Sequence, residues 1–307
     1  MSMSASKQLQ SEDGWNHRFV RGNGVELHCV EAGIGSEDTE QQQARPLMLF
    51  LHGFPEFWYS WRHQMRAFSD TYHVVAPELR GYNKSDKPEG RRAYALDELV
   101  SDVRELVENL GYEKCTLVAH DWGGAVAWEF AYAHPEMLDQ LIVMNLPHPV
   151  RFYQGLRTAA QLRRSWYMFF FQLPWLPEAL LSLDDHRAIA RLFEGQAKNP
   201  QAFSDDDLDA YREAAGQPGA LTAMLNYYRA LSLEVFRFDN ERYDILDVPT
   251  LMIWGEDDAA LGKELTYGTE RLVRDFHIEY IPNCSHWVQQ DRPELVNDYM
   301  RDFLDRT

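Results

Sequence analysis

An aspartate sits where the backbone turns sharply from strand to helix, and few side chains in the chain are better placed for chemistry. The apolar run Cys115-Thr116-Leu117-Val118 leads into Ala119-His120-Asp121-Trp122-Gly123-Gly124, and a helical pattern follows from near Gly124 through Phe130. Small residues at Ala119 and Gly123 let the backbone fold tightly around Asp121, exposing its side chain at the tip of an elbow. A serine there would suit ester cleavage. A carboxylate would form an anhydride less stable than the ester it attacked, so it is badly matched to a carbonyl. It is well matched to displacement at a saturated carbon, which leaves an alkyl ester on the protein. Asp121 therefore points to an epoxide or an alkyl halide as the electrophile.

Such an ester must be hydrolysed, which calls for a base and a group that orients it. Cys284-Ser285-His286-Trp287 follows the last strand pattern and offers His286. Gly255-Glu256-Asp257-Asp258 follows the Thr250–Trp254 strand pattern and offers the acid, Asp258 in preference to its neighbour Asp257. Asn145 closes an earlier strand, but an amide cannot stabilise an imidazolium by charge. Ester hydrolysis also needs two fixed N–H donors for the oxyanion. The backbone of Trp122, at a helix start, and that of Phe54, in His52-Gly53-Phe54-Pro55, are the candidates.

With these stretches together, the chain resembles the epoxide hydrolases of the α/β-hydrolase fold, in their soluble and epoxide-hydrolase-like branches. The resemblance rests on His52-Gly53-Phe54-Pro55-Glu56 with Trp58-Tyr59-Ser60-Trp61-Arg62, on Leu79-Arg80-Gly81-Tyr82, on the elbow, and on Cys284-Ser285-His286-Trp287. It runs from about Trp15 to the C-terminus. Asn83 and Ala119 depart from glycines common in the family, which touches loop geometry more than chemistry. The order nucleophile, acid, base along the chain is the one this fold uses. The resemblance implies two lid tyrosines holding the epoxide oxygen. Tyr167, in Tyr167-Met168-Phe169-Phe170-Phe171-Gln172-Leu173-Pro174, and Tyr228, in Asn226-Tyr227-Tyr228-Arg229, match the two family patterns. Ring opening releases a strongly basic alkoxide, so a phenol, with its pKa of about 10, is a suitable proton donor. Trp122, Phe54, Met168 and Trp287 are expected to line an apolar pocket. No metal or organic cofactor is required. The alternative is a haloalkane or haloacid dehalogenase using the same aspartate, although Phe54 stands where many haloalkane dehalogenases carry asparagine. A non-catalytic binder of the same fold would show a broken triad, and none of its members is missing.

The elements that must carry these residues are legible in the hydropathy pattern. Leu47–Leu51, His73–Ala76, Cys115–Val118, Leu141–Met144, Thr250–Trp254 and His277–Ile281 read as strands, most of them continuously apolar as in a parallel sheet buried on both faces. A hairpin through Gly22-Asn23-Gly24 precedes them, with Val25, Leu27 and Cys29 on one face and Glu26 and His28 on the other. Helical spacing runs over Trp58–Phe68, Asp97–Leu110 and Pro293–Leu304, and over a long stretch from Pro147 to about Asp244 broken by Pro174, Pro177, Pro200 and Pro218. The expected architecture is α/β, a mostly parallel, doubly wound sheet with an inserted helical lid. Its expected parts are a disordered arm over 1–14, core segments over 15–146 and 245–307, and a lid over 147–244.

The 307 residues are 45% apolar and carry a formal net charge of −18, which disfavours nucleic acid as a partner. Three scattered cysteines, Cys29, Cys115 and Cys284, fit no metal or disulfide framework and favour a reducing, cytoplasmic setting. The N-terminus shows no apolar signal core. Trp166 to Leu183 is apolar but interrupted by Gln172, Pro174, Pro177 and Glu178, too broken to span a bilayer. An apolar helix and turn inside a lid is the favoured reading of this stretch and membrane contact is not expected, a monotopic contact through its aromatics being the minor alternative. The expected partners are an epoxide and water, and the pattern is compatible with a homodimer.

Overall fold

The computed structural model describes residues 15–33, 45–234 and 240–306. The expected arm over 1–14 and most of the polar loop after Gly33 lie outside the described residues. The strands are β1 (Asn16–Gly22), β2 (Val25–Ala32), β3 (Leu47–Leu51), β4 (His73–Pro77), β5 (Cys115–His120), β6 (Leu138–Met144), β7 (Thr250–Gly255) and β8 (Phe276–Ile281). They form one sheet in the order β1-β2-β4-β3-β5-β6-β7-β8. Strand β2 pairs antiparallel with β1 and β4, and the other pairings are parallel. Every residue of β3, β4, β5 and β7 is buried, as their apolar runs require.

Helices α1 (Arg62–Phe68), α2 (Leu96–Asn109) and α3 (Trp122–Ala133) lie between β3 and β6 in the chain, and α11 (Val288–Asp291) and α12 (Pro293–Leu304) close it. Helices α2 and α3 pack together, while α1 packs with α11 and α12, giving the sheet its two helical layers. Among the described residues seven α-helices separate β6 from β7: α4 (Pro149–Gly155), α5 (Ala159–Arg164), α6 (Trp166–Phe170), α7 (Leu176–Leu181), α8 (Leu183–Gln196), α9 (Asp205–Ala215) and α10 (Ala220–Glu234).

Some local details differ from the sequence pattern. The segment Trp58–Trp61 is a 3-10 turn, and the α-helix begins only at Arg62. Strand β6 starts at Leu138, because Asp139 and Gln140 can occupy its more exposed beginning. Helix α3 begins at Trp122, ahead of Gly124, since the turn is completed at Asp121 itself. Pro177 does not break a helix but sits in the first turn of α7, where its missing N–H costs nothing. His28 is buried on the face expected to be polar, held against Glu78 and by the Ser85 hydroxyl, which accepts from the His28 amide.

Candidate active site

The sheet order reverses at β3, which has β4 on one side and β5 on the other. In a doubly wound sheet the crevice opens outside the carboxyl ends of strands at such a point. Leu51 at the end of β3 pairs with Ala119 at the end of β5. The loop His52–Pro55 and the elbow at Asp121 are thus set side by side. Loops after β6, β7 and β8 add Asn145, Asp258 and His286 at the same end of the sheet.

Asp121 has φ 47° and ψ −120°, a left-handed conformation that L side chains rarely adopt. The turn is tight because its neighbours are small. A Cβ on Gly123 would lie 2.2 Å from the Leu51 carbonyl oxygen, and one on Gly53 would lie 2.5 Å from Asp121 Cβ. Phe54 N–H donates to Asp121 Oδ1 at 2.8 Å. Asp121 Oδ2 lies 3.5 Å from His286 Nε2. Trp122 is the first residue of α3, so its N–H is among the amides a helix leaves without an intrahelical partner. The Phe54–Pro55 peptide is cis.

His286 Nδ1 lies 2.7 Å from Asp258 Oδ2. That carboxylate is fully buried and fully engaged: Asn145 Nδ2 donates to Oδ2 at 2.7 Å, and the amides of Ala260 and Leu261 donate to Oδ1 at 2.7 and 2.9 Å. Asp257, the other acid of the pair, is exposed and lies 3.9 Å from Lys198 Nζ. Burial alone would lower the His286 pKa. The charges of Asp258 and Asp121 and their hydrogen bonds outweigh it, and the imidazole is raised well above its usual value. Burial alone would raise both carboxyls, and the facing imidazole holds each below the usual aspartate value.

Tyr167 and Tyr228 come from α6 and α10 and meet above Asp121, with ring centroids 5.9 Å apart. The Tyr228 ring stands perpendicular to those of Trp122 and Phe54, at 5.1 and 5.4 Å. Burial, followed by the charge of Asp121, raises both phenols, so both hold their protons at neutral pH. Two cavities converge on Asp121, Tyr167 and Tyr228. One follows α3 past Trp122 and Ala125 to Glu129 and includes Met168. The other, larger one is bounded by Phe54, Trp287 and Trp166. All four apolar residues picked from the sequence as pocket lining therefore border one of the two cavities.

Three residues have roles that the sequence reading did not supply. Asn145 was considered only as an acid, yet it donates to Asp258, accepts from the Gly255 amide at 2.9 Å, and has φ 43°. Buried Glu56 receives the Gly53 amide at 2.8 Å, faces His120 Nδ1 at 2.7 Å, and accepts from the side-chain amides of Gln289 and Gln290 at 2.9 and 3.0 Å. His120 Nε2 in turn lies 2.8 Å from the His286 carbonyl oxygen. This network ties the Phe54 loop, the elbow and the His286 loop into one unit; its only sequence signal was a glutamate beside His52–Pro55. Asn83, which departs from the family's glycine, has φ 37° and donates to Glu78 at 2.5 Å. Asparagine tolerates that conformation better than most residues, which explains the exchange.

Residues 46–293 match the α/β-hydrolase-fold family model. The chain is 43% identical over 300 residues to epoxide hydrolase 1 of Caenorhabditis elegans, covering 96% of this chain and 71% of the relative. It is 42% identical to epoxide hydrolase 4 of Mus musculus, covering 94% of this chain and 79% of that protein. Among solved structures, an epoxide hydrolase of Bacillus megaterium in complex with an inhibitor superposes with a TM-score of 0.84 at 37% identity, covering 94% of this chain and 100% of that one.

Proposed function

This chain belongs to the epoxide hydrolases of the α/β-hydrolase fold, and from that premise we propose that it opens an apolar epoxide to a vicinal diol through an ester on Asp121. The observation that carries the reading is a buried carboxylate at the elbow, faced across a cavity by two protonated tyrosines. The dehalogenase alternative is not favoured, because the relatives named above are epoxide hydrolases.

Phe54 N–H engages Oδ1, which leaves Oδ2 as the attacking atom. Tyr167 and Tyr228 hydrogen-bond the epoxide oxygen while Oδ2 forms a bond to a ring carbon from the opposite side. The ring C–O bond breaks, and the alkoxide takes a proton from one of the phenols, which regains it from solvent. His286 Nε2 then removes a proton from water as the water oxygen attacks Asp121 Cγ. The N–H groups of Phe54 and Trp122 hold the oxyanion. Collapse expels the diol oxygen, which takes the proton from His286, and Asp121 is regenerated carrying an oxygen from water. Asp258 keeps His286 oriented and basic, and Trp122, Phe54, Met168 and Trp287 supply the apolar walls. In this reading residues 147–244 are the lid, and 15–146 with 245–307 are the core. The buried, free Cys29, Cys115 and Cys284 support a reducing, cytoplasmic setting. A homodimer is the oligomeric state that sedimentation velocity would test.

The deciding experiment uses His286→Gln with an aryl epoxide. Intact mass should rise by the mass of the substrate, and a peptide map should place the adduct on Asp121. Steady diol release with no adduct would overturn the covalent mechanism.

A further inference from the structure

Among the described residues twelve large apolar side chains are exposed, and eight of them fall between Leu162 and Leu183. Trp175 is 81% exposed, Trp166 63%, Phe169 62% and Leu183 59%. Helix α7 buries Pro177 and Leu181 inward yet turns Leu176 and Leu180 outward, where a helix facing water would carry polar residues. Concentration of this kind on one stretch of surface marks an interaction site.

The charges around it identify the partner. From 157 to 187 the chain has four arginines, Arg157, Arg163, Arg164 and Arg187, against three acids, Glu178, Asp184 and Asp185, a formal +1 inside a chain of −18. Arg157 and Arg163 are exposed, while Arg164 pairs with Glu264, and the acids Glu178, Asp184 and Asp185 are held by Arg229, Arg187 and Arg212. Tryptophan, leucine and flanking arginine form the composition that lies in a bilayer interface, with aromatic rings at headgroup level and arginine stems reaching to lipid phosphates. Among the described residues no helix is long and apolar enough to cross a membrane. The breaks at Gln172, Pro174 and Pro177 that prevent spanning do not prevent lying flat. The acidic remainder of the molecule would be repelled by anionic lipid, which leaves this face to make the contact. Trp166 and Arg164 also border the larger cavity, so its mouth adjoins the patch. A second copy seated symmetrically on the same face would bring like arginines and both cavity mouths together.

We infer that the outer face formed by residues 162–183, flanked by Arg157 and Arg163, is a monotopic docking surface for an anionic lipid membrane. On the epoxide reading above, docking turns the Trp166 mouth toward epoxides dissolved in that membrane. The docking itself does not depend on that reading.

The test is co-sedimentation of the full chain with phosphatidylcholine vesicles, with and without phosphatidylserine, at low and moderate salt. The expected result is binding to the anionic vesicles that weakens with salt. The double variant Trp175→Ser/Leu180→Ser should bind roughly tenfold more weakly or worse. Arg157→Gln/Arg163→Gln should bind roughly tenfold more weakly. Both should turn over a water-soluble epoxide at the unaltered rate, which also shows that they fold. Wild-type protein left in the supernatant with anionic vesicles at low salt would overturn the inference. So would unchanged binding by the Trp175/Leu180 variant. A variant that changes only from dimer to monomer, without any vesicle binding by the wild type, would assign the face to a second copy instead.

Discussion

Ester formation should itself convert His286 into a base. In the free protein His286 faces two carboxylates, and its imidazole is raised well above its usual value. Esterification of Asp121 removes one of those charges at the moment a base is needed. At the Nε2–Oδ2 separation of 3.5 Å, a unit-charge pair at an effective dielectric constant of about 20 interacts by about 5 kcal/mol. One pKa unit corresponds to about 1.4 kcal/mol, so losing this charge lowers the His286 titration by an amount that NMR resolves easily. Asp121→Asn mimics the neutral ester. Imidazole nitrogen shifts of the variant and the wild type, followed against pH and assigned with His286→Gln, should show His286 titrating lower in the variant. The stability profile has a matching sign. A group raised in the folded state stabilises fully below its unfolded value, about 6.5, and loses that contribution as pH rises through the folded value. Asp121→Asn should therefore flatten the decline in stability above neutral pH, as read by thermal melting. An unchanged His286 titration would refute the argument, because it would mean that Asp121 contributes nothing to the imidazole's charge state.

Tyr167→Phe and Tyr228→Phe should each slow ester formation by roughly 10- to 100-fold, the loss of one hydrogen bond to a developing charge. In single-turnover kinetics the double variant should be nearly inactive, and a normal rate in it would remove both phenols from the chemistry. Asp258→Asn should slow hydrolysis by roughly 10³- to 10⁴-fold while leaving ester formation less affected. The ester should then accumulate in intact mass spectra, and rapid turnover would mean that another group orients His286. Gly53→Ala should cost roughly 10²-fold or more in kcat, since its Cβ would lie 2.8 Å from Asp121 Oδ1 and displace the nucleophile. Circular dichroism should show the fold retained, and a wild-type rate would contradict the contact between these loops.

Much of this was written locally. The apolar runs of β3, β4, β5 and β7 and the small residues around Asp121 are properties of short windows, because a buried strand and a tight elbow each constrain a few consecutive residues. The placement of His286 after the last strand was likewise readable, since the C-terminal ends of parallel strands share one edge. Tyr167 and Tyr228 were recognisable only through resemblance, for nothing in their own windows separates them from the other tyrosines of an aromatic-rich insertion.

Composition and order along the chain gave the sheet and the proposed nucleophile, base and kind of electrophile, because these follow from residue type and hydropathy period. Tertiary structure separates Asp258, preferred from the sequence, from Asp257: they neighbour each other in one loop, yet one is exposed and the other lies 2.7 Å from His286. It also gave Asn145 its partner in Asp258, and it joined Glu56, His120, Gln289 and Gln290 across more than two hundred positions. The physical reason is range. Backbone preference acts over a few residues, whereas the direction of a buried polar side chain is fixed by whichever distant donor or acceptor keeps it from being left unpaired.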